Sequence, residues 1–323
     1  MLDSILGSLR VVALATRTDF RSVTSREVAL FEGPAGWGEF SPFLEYSYKE
    51  SVPWLISAVE AAFVQTPPLF RHEIAVNATL PAIDTPSEIA EILNGFAGAT
   101  VVKIKVGGAL QADLNRIAYV RELRPNARIR IDVNGLWNVD QAVEFLDQVG
   151  VIEYVEQPCS TIEELRELKR RISVKIAGDE IIRKAKDPFS VDLAGAVDIV
   201  MLKVAPLGGI TRAIEIANHH QLPVAVSSAL ESAVGISYGL KLAGALAHLD
   251  FACGLGTGSL LAVDIAHLPI IDGKMQINDV IPDISALNEL AVSNERLNWW
   301  KNRIRMTWAA GAQSYIEQRG WSA

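Results

Sequence analysis

From about residue 73 the chain repeats one unit: a short Val/Ile-rich run, a polar or glycine-rich turn, then a segment whose apolar residues recur at helical spacing. The candidate strands are EIAVNA, TVVKIKV, RIRIDV, IEYVEQ, VKIAGDE, VDIVMLKV, LPVAVSS and DFACGLG, with helical segments such as VDQAVEFLDQVG and TIEELRELKRRI between them. This alternation restricts the fold more than any other feature. Strands that alternate with helices pair in parallel through right-handed crossovers, and eight such units spread over roughly 200 to 250 residues match a TIM-type (β/α) barrel, here assigned to residues 73–285. A doubly wound sheet is the rival architecture.

The chain before the barrel has a different texture. LRVVALATR and SREVALFEGPAGWGEF read as antiparallel strands with a Gly/Pro turn, and SVPWLISAVEAAF as an amphipathic helix, so residues 1–72 form an expected α+β capping domain. Residues 286–323 read as helical and carry Trp299, Trp300, Trp308 and Trp321, expected to pack on the cap or on a neighbouring subunit.

Composition excludes several functions. Of 323 residues, half are hydrophobic, which allows a large core, and the net charge of -8 with 30 scattered basic residues leaves no nucleic-acid footprint and no polybasic membrane patch. No apolar run reaches the roughly 18 residues of a membrane span. Asp3 and Arg10 interrupt the N-terminal apolar stretch, unlike a signal peptide, and a cytoplasmic location is expected. Cys159 and Cys253 lie far apart and read as packing residues in a reducing compartment. The five histidines show no ligand spacing. Oligomeric state is left open by these features.

In a barrel the carboxyl ends of the strands face the catalytic mouth, and the polar residues fall there. Asp132 ends RIRIDV, Glu156 ends IEYVE, Asp179 and Glu180 end VKIAGDE, and Lys203 ends VDIVMLK; from Asp132 the steps are about 24, 23 and 24 residues, one strand and helix each. Three carboxylates gathered at low dielectric repel one another unless a cation joins them. A set without His or Cys suits a hard ion, Mg²⁺ first and Mn²⁺ second. The bland alternative is that these acids are helix N-caps or surface ion pairs.

Lys103 and Lys105 stand on one side of the second strand, with Lys203 on the sixth, across the barrel. A lysine beside another cation has a lowered pKa, so one of the pair can be neutral near pH 7 and act as a base, with Lys203 as second acid or base or as fixed cation. Two such groups with a metal are what proton abstraction beside a carboxylate requires, so the expected partner is a small-molecule carboxylate.

The set Lys-X-Lys, RIDVN, EQP, GDE and LK resembles the enolase superfamily, muconate-lactonising subgroup, across essentially the whole chain. Its use of a lysine base with Mg²⁺ and an enediolate is the known chemistry of that superfamily. The resemblance implies Asp132, Glu156 and Asp179 as Mg²⁺ ligands. It implies Lys105 as the base that removes the proton alpha to the carboxylate and returns it to a leaving hydroxyl, Lys203 as a stabilising cation, and Lys103 as the residue tuning Lys105. Arg130, Ser227 and Gly254 match positions that contact substrate, although Arg130 fits an interior ion pair equally and the other two fit tight turns. REVALFEGPAGWGEFSPFLEY and SSALESAVG bring the match closest to a syn dehydratase of the subgroup, a carbon–oxygen lyase; an N-acylamino acid racemase or dipeptide epimerase using Lys105 and Lys203 on opposite faces is the alternative. Ile181 replaces a serine found in many relatives, and Glu180 is expected to support the ligands from behind. CGLGTG is favoured as a close backbone approach to a substrate carboxylate over a phosphate cradle. Loops near Phe20 and Arg21 and residues 41–48 are expected to set specificity. A Schiff-base aldolase with Lys203 as nucleophile, and a non-catalytic barrel, are the readings from other classes; three acids in phase argue against the first and the intact set of lysines and acids against the second.

Overall fold

The computed structural model describes residues 1–20 and 23–322. After α1 (Leu2–Ser8), strands β1 (Arg10–Phe20), β2 (Val23–Gly33) and β3 (Gly36–Phe40) form an antiparallel sheet in that order. Helix α2 (Tyr48–Phe63) lies on it, begun by a capping box in which Ser47 and Glu50 satisfy each other's backbone N–H groups. A Cβ built at Gly33 or Gly38 would overlap the carbonyls of Ala62 and Ala58, so the sheet rests directly on the backbone of α2. Phe31, Phe40, Trp54 and Leu55 form the core of this layer.

The chain then enters β4 (Glu73–Ala75) and β5 (Ala78–Leu80), followed by α3 (Pro86–Asn94), β6 (Val101–Lys105), α4 (Leu110–Leu123), β7 (Arg128–Asp132), α5 (Val139–Val149), β8 (Tyr154–Glu156), α6 (Ile162–Arg171), β9 (Ile176–Gly178) and α7 (Glu180–Arg183). Next come β10 (Ile199–Lys203), α8 (Val204–Leu207), α9 (Ile210–His220), β11 (Val224–Ser227), α10 (Ala233–Ala245) and β12 (Lys274–Gln276). Strands β5 to β11 form one parallel sheet of seven, curled so that its edges meet. The fold is an α/β TIM-type barrel with a capping domain.

Two of the eight expected strands differ in detail. EIAVNA is displaced: Glu73–Ala75 pairs antiparallel with β12 outside the barrel, and the strand that joins the ring, Ala78–Leu80, shares only Ala78 with it. The change of partner falls at Val76 and Asn77, whose N–H groups donate to Gly273 O and Cys253 O. DFACGLG contributes no extended strand but two single bridges, Val76 with Cys253 and Ser227 with Gly254, which join β5's side of the sheet to β11. A Cβ on Gly254 would lie 2.6 Å from Ser227 Oγ, so glycine is what allows this close approach, at the expense of strand propensity. The fifth unit also departs from the pattern, because α7 is a single turn and leaves Glu180 and Arg183 beside the mouth.

The chain ends in α11 (Ile284–Glu289), α12 (Asn294–Thr307) and α13 (Gln313–Gln318), which return to the cap. Trp300, fully buried, meets Phe40 edge to face at 5.8 Å, and its Nε1 donates to Glu27 Oε2 at 2.6 Å. Trp308 and Trp321 also pack against the cap core, and Trp299, 40% exposed, meets Trp300 edge to face at 5.3 Å. Cys159 and Cys253 are both buried and free. Among the described residues no helix is long and apolar enough to cross a membrane.

Candidate active site

Parallel register sets the polar ring. Lys105 pairs with Asp132 and Asp132 with Glu156, so their side chains stand at one level, while Lys103, Arg130 and Tyr154 form the level beneath. Within the ring of seven strands and one closing segment, β6 and β10 stand four positions apart, which places Lys105 and Lys203 on opposite walls.

Every acid of the trio faces a cation. Lys105 Nζ donates to Asp132 Oδ2 at 2.6 Å and to Asn134 Oδ1 at 2.8 Å. Lys103 Nζ donates to Glu156 Oε2 at 2.7 Å and stands 3.1 Å from Asp132 Oδ2. Lys203 Nζ donates to Asp179 Oδ2 at 2.6 Å, and Arg183 Nε reaches both oxygens of the same carboxylate at 3.0 and 3.1 Å. All three acids are essentially buried.

Burial and neighbours shift these groups in different directions. Burial would raise Asp132, but Lys105 and Lys103 hold it well below the usual carboxylate range. Asp179 is likewise lowered against its burial by Arg183 and Lys203. Glu156 is pushed up to about 6 by burial and by the neighbouring charge of Asp132. Burial lowers the Lys105 ammonium, and Lys103 and Lys203 add to that, against the pull of Asp132. Lys103, held between Glu156 and Asp132, is raised despite its burial. The two lysines are shifted in opposite directions, and at Lys105 burial is a larger cause of the fall than the neighbouring Lys103 cation.

The chemistry of this donor set fits a hard cation. It offers oxygen acceptors only, and Asp132 Oδ1 and Glu156 Oε1 are buried without a hydrogen-bond partner. Asp179 is differently placed, since both of its oxygens are held by Arg183 and Lys203. Among the described residues no three His, Cys, Asp or Glu side chains stand together as a ready-made metal cluster.

The remaining expected contacts are distributed around and below the mouth. Arg130 is fully buried inside the barrel, where Nε donates to Glu153 Oε2 at 2.5 Å, Nη1 donates to Asn77 Oδ1 and Ala252 O, and the guanidinium lies over the Tyr154 ring. Glu153 and Asn77 precede their strands, so the Arg130 head group points away from the mouth, as an interior ion pair. Ser227 and Gly254 meet at the closing seam, level with Lys203. Arg21 and the side chain of Phe20 lie outside the described residues. The 41–48 loop does reach the mouth, where the Tyr46 hydroxyl accepts from Arg183 Nη1 at 3.4 Å.

Three further side chains belong to the site. Asn134, with φ +55°, accepts from Lys105 and donates to Glu180 Oε1 at 3.1 Å. Gln157, with φ +41°, accepts from the backbone N–H groups of Asp179 and Ile181 at 2.9 and 3.1 Å, so one strand's end fixes the backbone that carries the next strand's acid. Arg183 binds Asp179 and Glu180 together. Asn134 and Gln157 lie within the RIDVN and EQP motifs, which was their available signal. Arg183 has none, because its reach depends on the shortness of α7.

Fold and site together define an enolase-like barrel enzyme: the enolase N-terminal domain-like family matches residues 11–62, and the enolase C-terminal domain-like family matches residues 88–280. Muconate lactonizing enzyme from Pseudomonas putida superposes with a TM-score of 0.73 at 21% identity, covering 88% of this chain and 98% of that one, a likeness of fold. The o-succinylbenzoate synthase of Mycobacterium marinum is 49% identical over 311 residues, 94% of each chain, and that of Mycobacterium tuberculosis 46% over 321 residues, 97% of this chain and 98% of the relative. The chain belongs to the o-succinylbenzoate synthase family of enolase-like enzymes.

Proposed function

We propose that the chain is a carbon–oxygen lyase that converts 2-succinyl-6-hydroxy-2,4-cyclohexadiene-1-carboxylate to 2-succinylbenzoate and water, a step of menaquinone biosynthesis in the cytoplasm. One observation carries the mechanism: Lys105 and Lys203, on opposite walls, each lie 2.6 Å from a different member of the acid trio, so a substrate carboxylate drawn to this ring meets an amine on either face. Residues 73–285 act as the catalytic barrel, and 1–72 with 286–323 as the cap that covers it.

Lys105 Nζ, neutral, takes the proton from C1, alpha to the carboxylate. The electron pair of that C–H bond is first held on the substrate's own carboxylate as an enediolate; it then returns to form the C1–C6 double bond as the C6–O bond breaks, and the departing hydroxyl takes the proton back from Lys105 on the same face. Water leaves and the ring becomes aromatic, which drives the reaction forward. Lys203 keeps its proton and offers a fixed positive charge to the developing anion, while Lys103, held by Glu156 and Asp132, stays charged and disfavours protonation of Lys105. Asp132, Glu156 and Asp179 would hold Mg²⁺, or Mn²⁺ in its place, which when bound supplies Lewis-acid stabilisation of charge on the substrate carboxylate.

The test is an ultraviolet assay of the purified protein with the cyclohexadiene carboxylate, in Mg²⁺ and then in excess EDTA. Aromatic product formed in Mg²⁺ and suppressed by EDTA is the expected result. Failure to convert, with deuterium exchange into both antipodes of an N-succinylamino acid, would replace dehydration with epimerisation.

A further inference from the structure

Arg183 has a buried side chain whose three guanidinium nitrogens hold three different side chains. Nε donates to both oxygens of Asp179, Nη2 to Glu180 Oε1 at 2.5 Å, and Nη1 to the Tyr46 hydroxyl of the cap loop. Glu180 Oε1 also accepts from Asn134, and Asn134 accepts from Lys105. A continuous run of hydrogen bonds thus follows the rim from Asp179 through Arg183, Glu180 and Asn134 to Lys105. Side-chain exposure is 4% at Arg183 and 0% at Asp179, so water does not replace these bonds cheaply.

We infer that Arg183 is a positioning residue for the cation site: its planar fork sets the rotamer of Asp179 and ties that carboxylate to the base-bearing side of the mouth. The inference rests on Asp179 being a metal ligand, as proposed above. Two features favour a positioning role over a purely electrostatic one. Charge is already supplied to Asp179 by Lys203 at 2.6 Å, so a second cation is redundant as charge. Geometry is not redundant: α7 is a single turn whose N-cap residue, Asp179, makes no side-chain bond to the helix backbone, so the helix itself does not orient the carboxylate. A lysine at position 183 would keep the charge and lose the simultaneous grip on Asp179, Glu180 and Tyr46.

The probe is Mn²⁺, titrated into full-length protein without substrate and followed by electron paramagnetic resonance, with melting in EDTA recorded for each variant. Arg183→Lys and Arg183→Met are both expected to bind Mn²⁺ about tenfold more weakly, about 1.4 kcal/mol, with little change in the EDTA melt. Glu180→Gln, which loosens the other leg of the fork and leaves Arg183 in place, is expected to weaken binding by a smaller factor and keeps the question answerable should the Arg183 variants fail to fold. Wild-type affinity in Arg183→Lys, or tighter binding in Arg183→Met, would overturn the inference by showing that only the charge matters. Asp179→Asn separates the two layers: unchanged Mn²⁺ affinity there would remove Asp179 from the ligand set and the positioning role with it, whereas lost affinity there with wild-type behaviour at 183 would leave the ligand set standing and reject Arg183 alone.

Discussion

At the scale of single residues, two lysines of one strand have surroundings that differ although their positions are two apart. Lys103 bridges two carboxylates and is raised; Lys105 shares one carboxylate and is lowered. With Lys105 as base and returning acid, Lys105→Ala is expected to lose at least about 10³-fold in turnover, toward the upper range for general acid–base catalysis. Its circular dichroism and its Mn²⁺ affinity should stay close to wild type, and appreciable residual dehydration would remove Lys105 from the chemistry. These residues were legible in the sequence because a strand's period of two places positions 103 and 105 on one side, and because barrel units of 23 to 24 residues return each acid to the same rim. The direction of Arg130 was not legible. Period two says that it faces inward, but whether its long side chain runs up to the mouth or down to the floor depends on Glu153, Asn77 and Tyr154, contributed by other strands.

At the scale of elements, the cap grips the barrel through helix N-termini. Glu60 of α2 accepts from the backbone N–H groups of Ile210 and Thr211 at the start of α9, and from Tyr238 Oη at 2.7 Å on α10. Glu39 of β3 does the same for Ser232 and Gly235 at the start of α10. A carboxylate is favoured at the positive end of a helix, and here it is also buried, so its loss would strand several donors at once. Gly209, the residue before α9, has φ +103°, and a Cβ there would overlap the Glu60 carboxylate. Gly209→Ala is therefore expected to destabilise the protein by about 2–4 kcal/mol, from backbone strain together with displacement of Glu60, measured as a fall in the urea midpoint. A cost under about 0.5 kcal/mol would mean that the carboxylate moves aside freely. Nothing in the spacing of apolar residues announces these contacts, since they join positions about 150 to 190 residues apart in the chain. The strand–helix alternation was legible, as were six of the strands in the ring; that the first ring strand begins only at Ala78, and that the eighth is reduced to two bridges, was not, because EIAVNA and DFACGLG both have strand-like composition and only the approach of Ser227 makes Gly254 a requirement of space.

At the scale of the whole molecule, cap and barrel meet over buried charge. Arg26 and Glu39 from the cap face Glu231 from the barrel, and Ser41, Ser232 and the backbone at Ala229 and Leu230 complete the cluster. Burial, then the charge of Glu39, pushes Glu231 up to about 7, and burial also raises Glu39. A carboxylate whose folded pKa is raised binds its proton more tightly in the folded state, so it favours folding at low pH and that advantage is lost as pH climbs from the unfolded value toward 7. Asp132 and Asp179, both lowered, act in the opposite sense, and only in acid. Between about pH 5 and 8 the native protein should lose stability through this interface on the order of 1–3 kcal/mol, and Glu231→Gln should flatten that fall in urea midpoints across the same range. An unchanged slope in the variant would place the effect elsewhere, with Asp264, also pushed up to about 7 by burial, the next carboxylate to replace. Because residues 253 and 254 join the rim without a paired ladder, the connection from α10 to Cys253 can gain or lose a residue without re-registering any of the seven strands. An insertion confined to the loop just after α10 would therefore leave Lys105 and Lys203 facing each other at the same depth in the barrel.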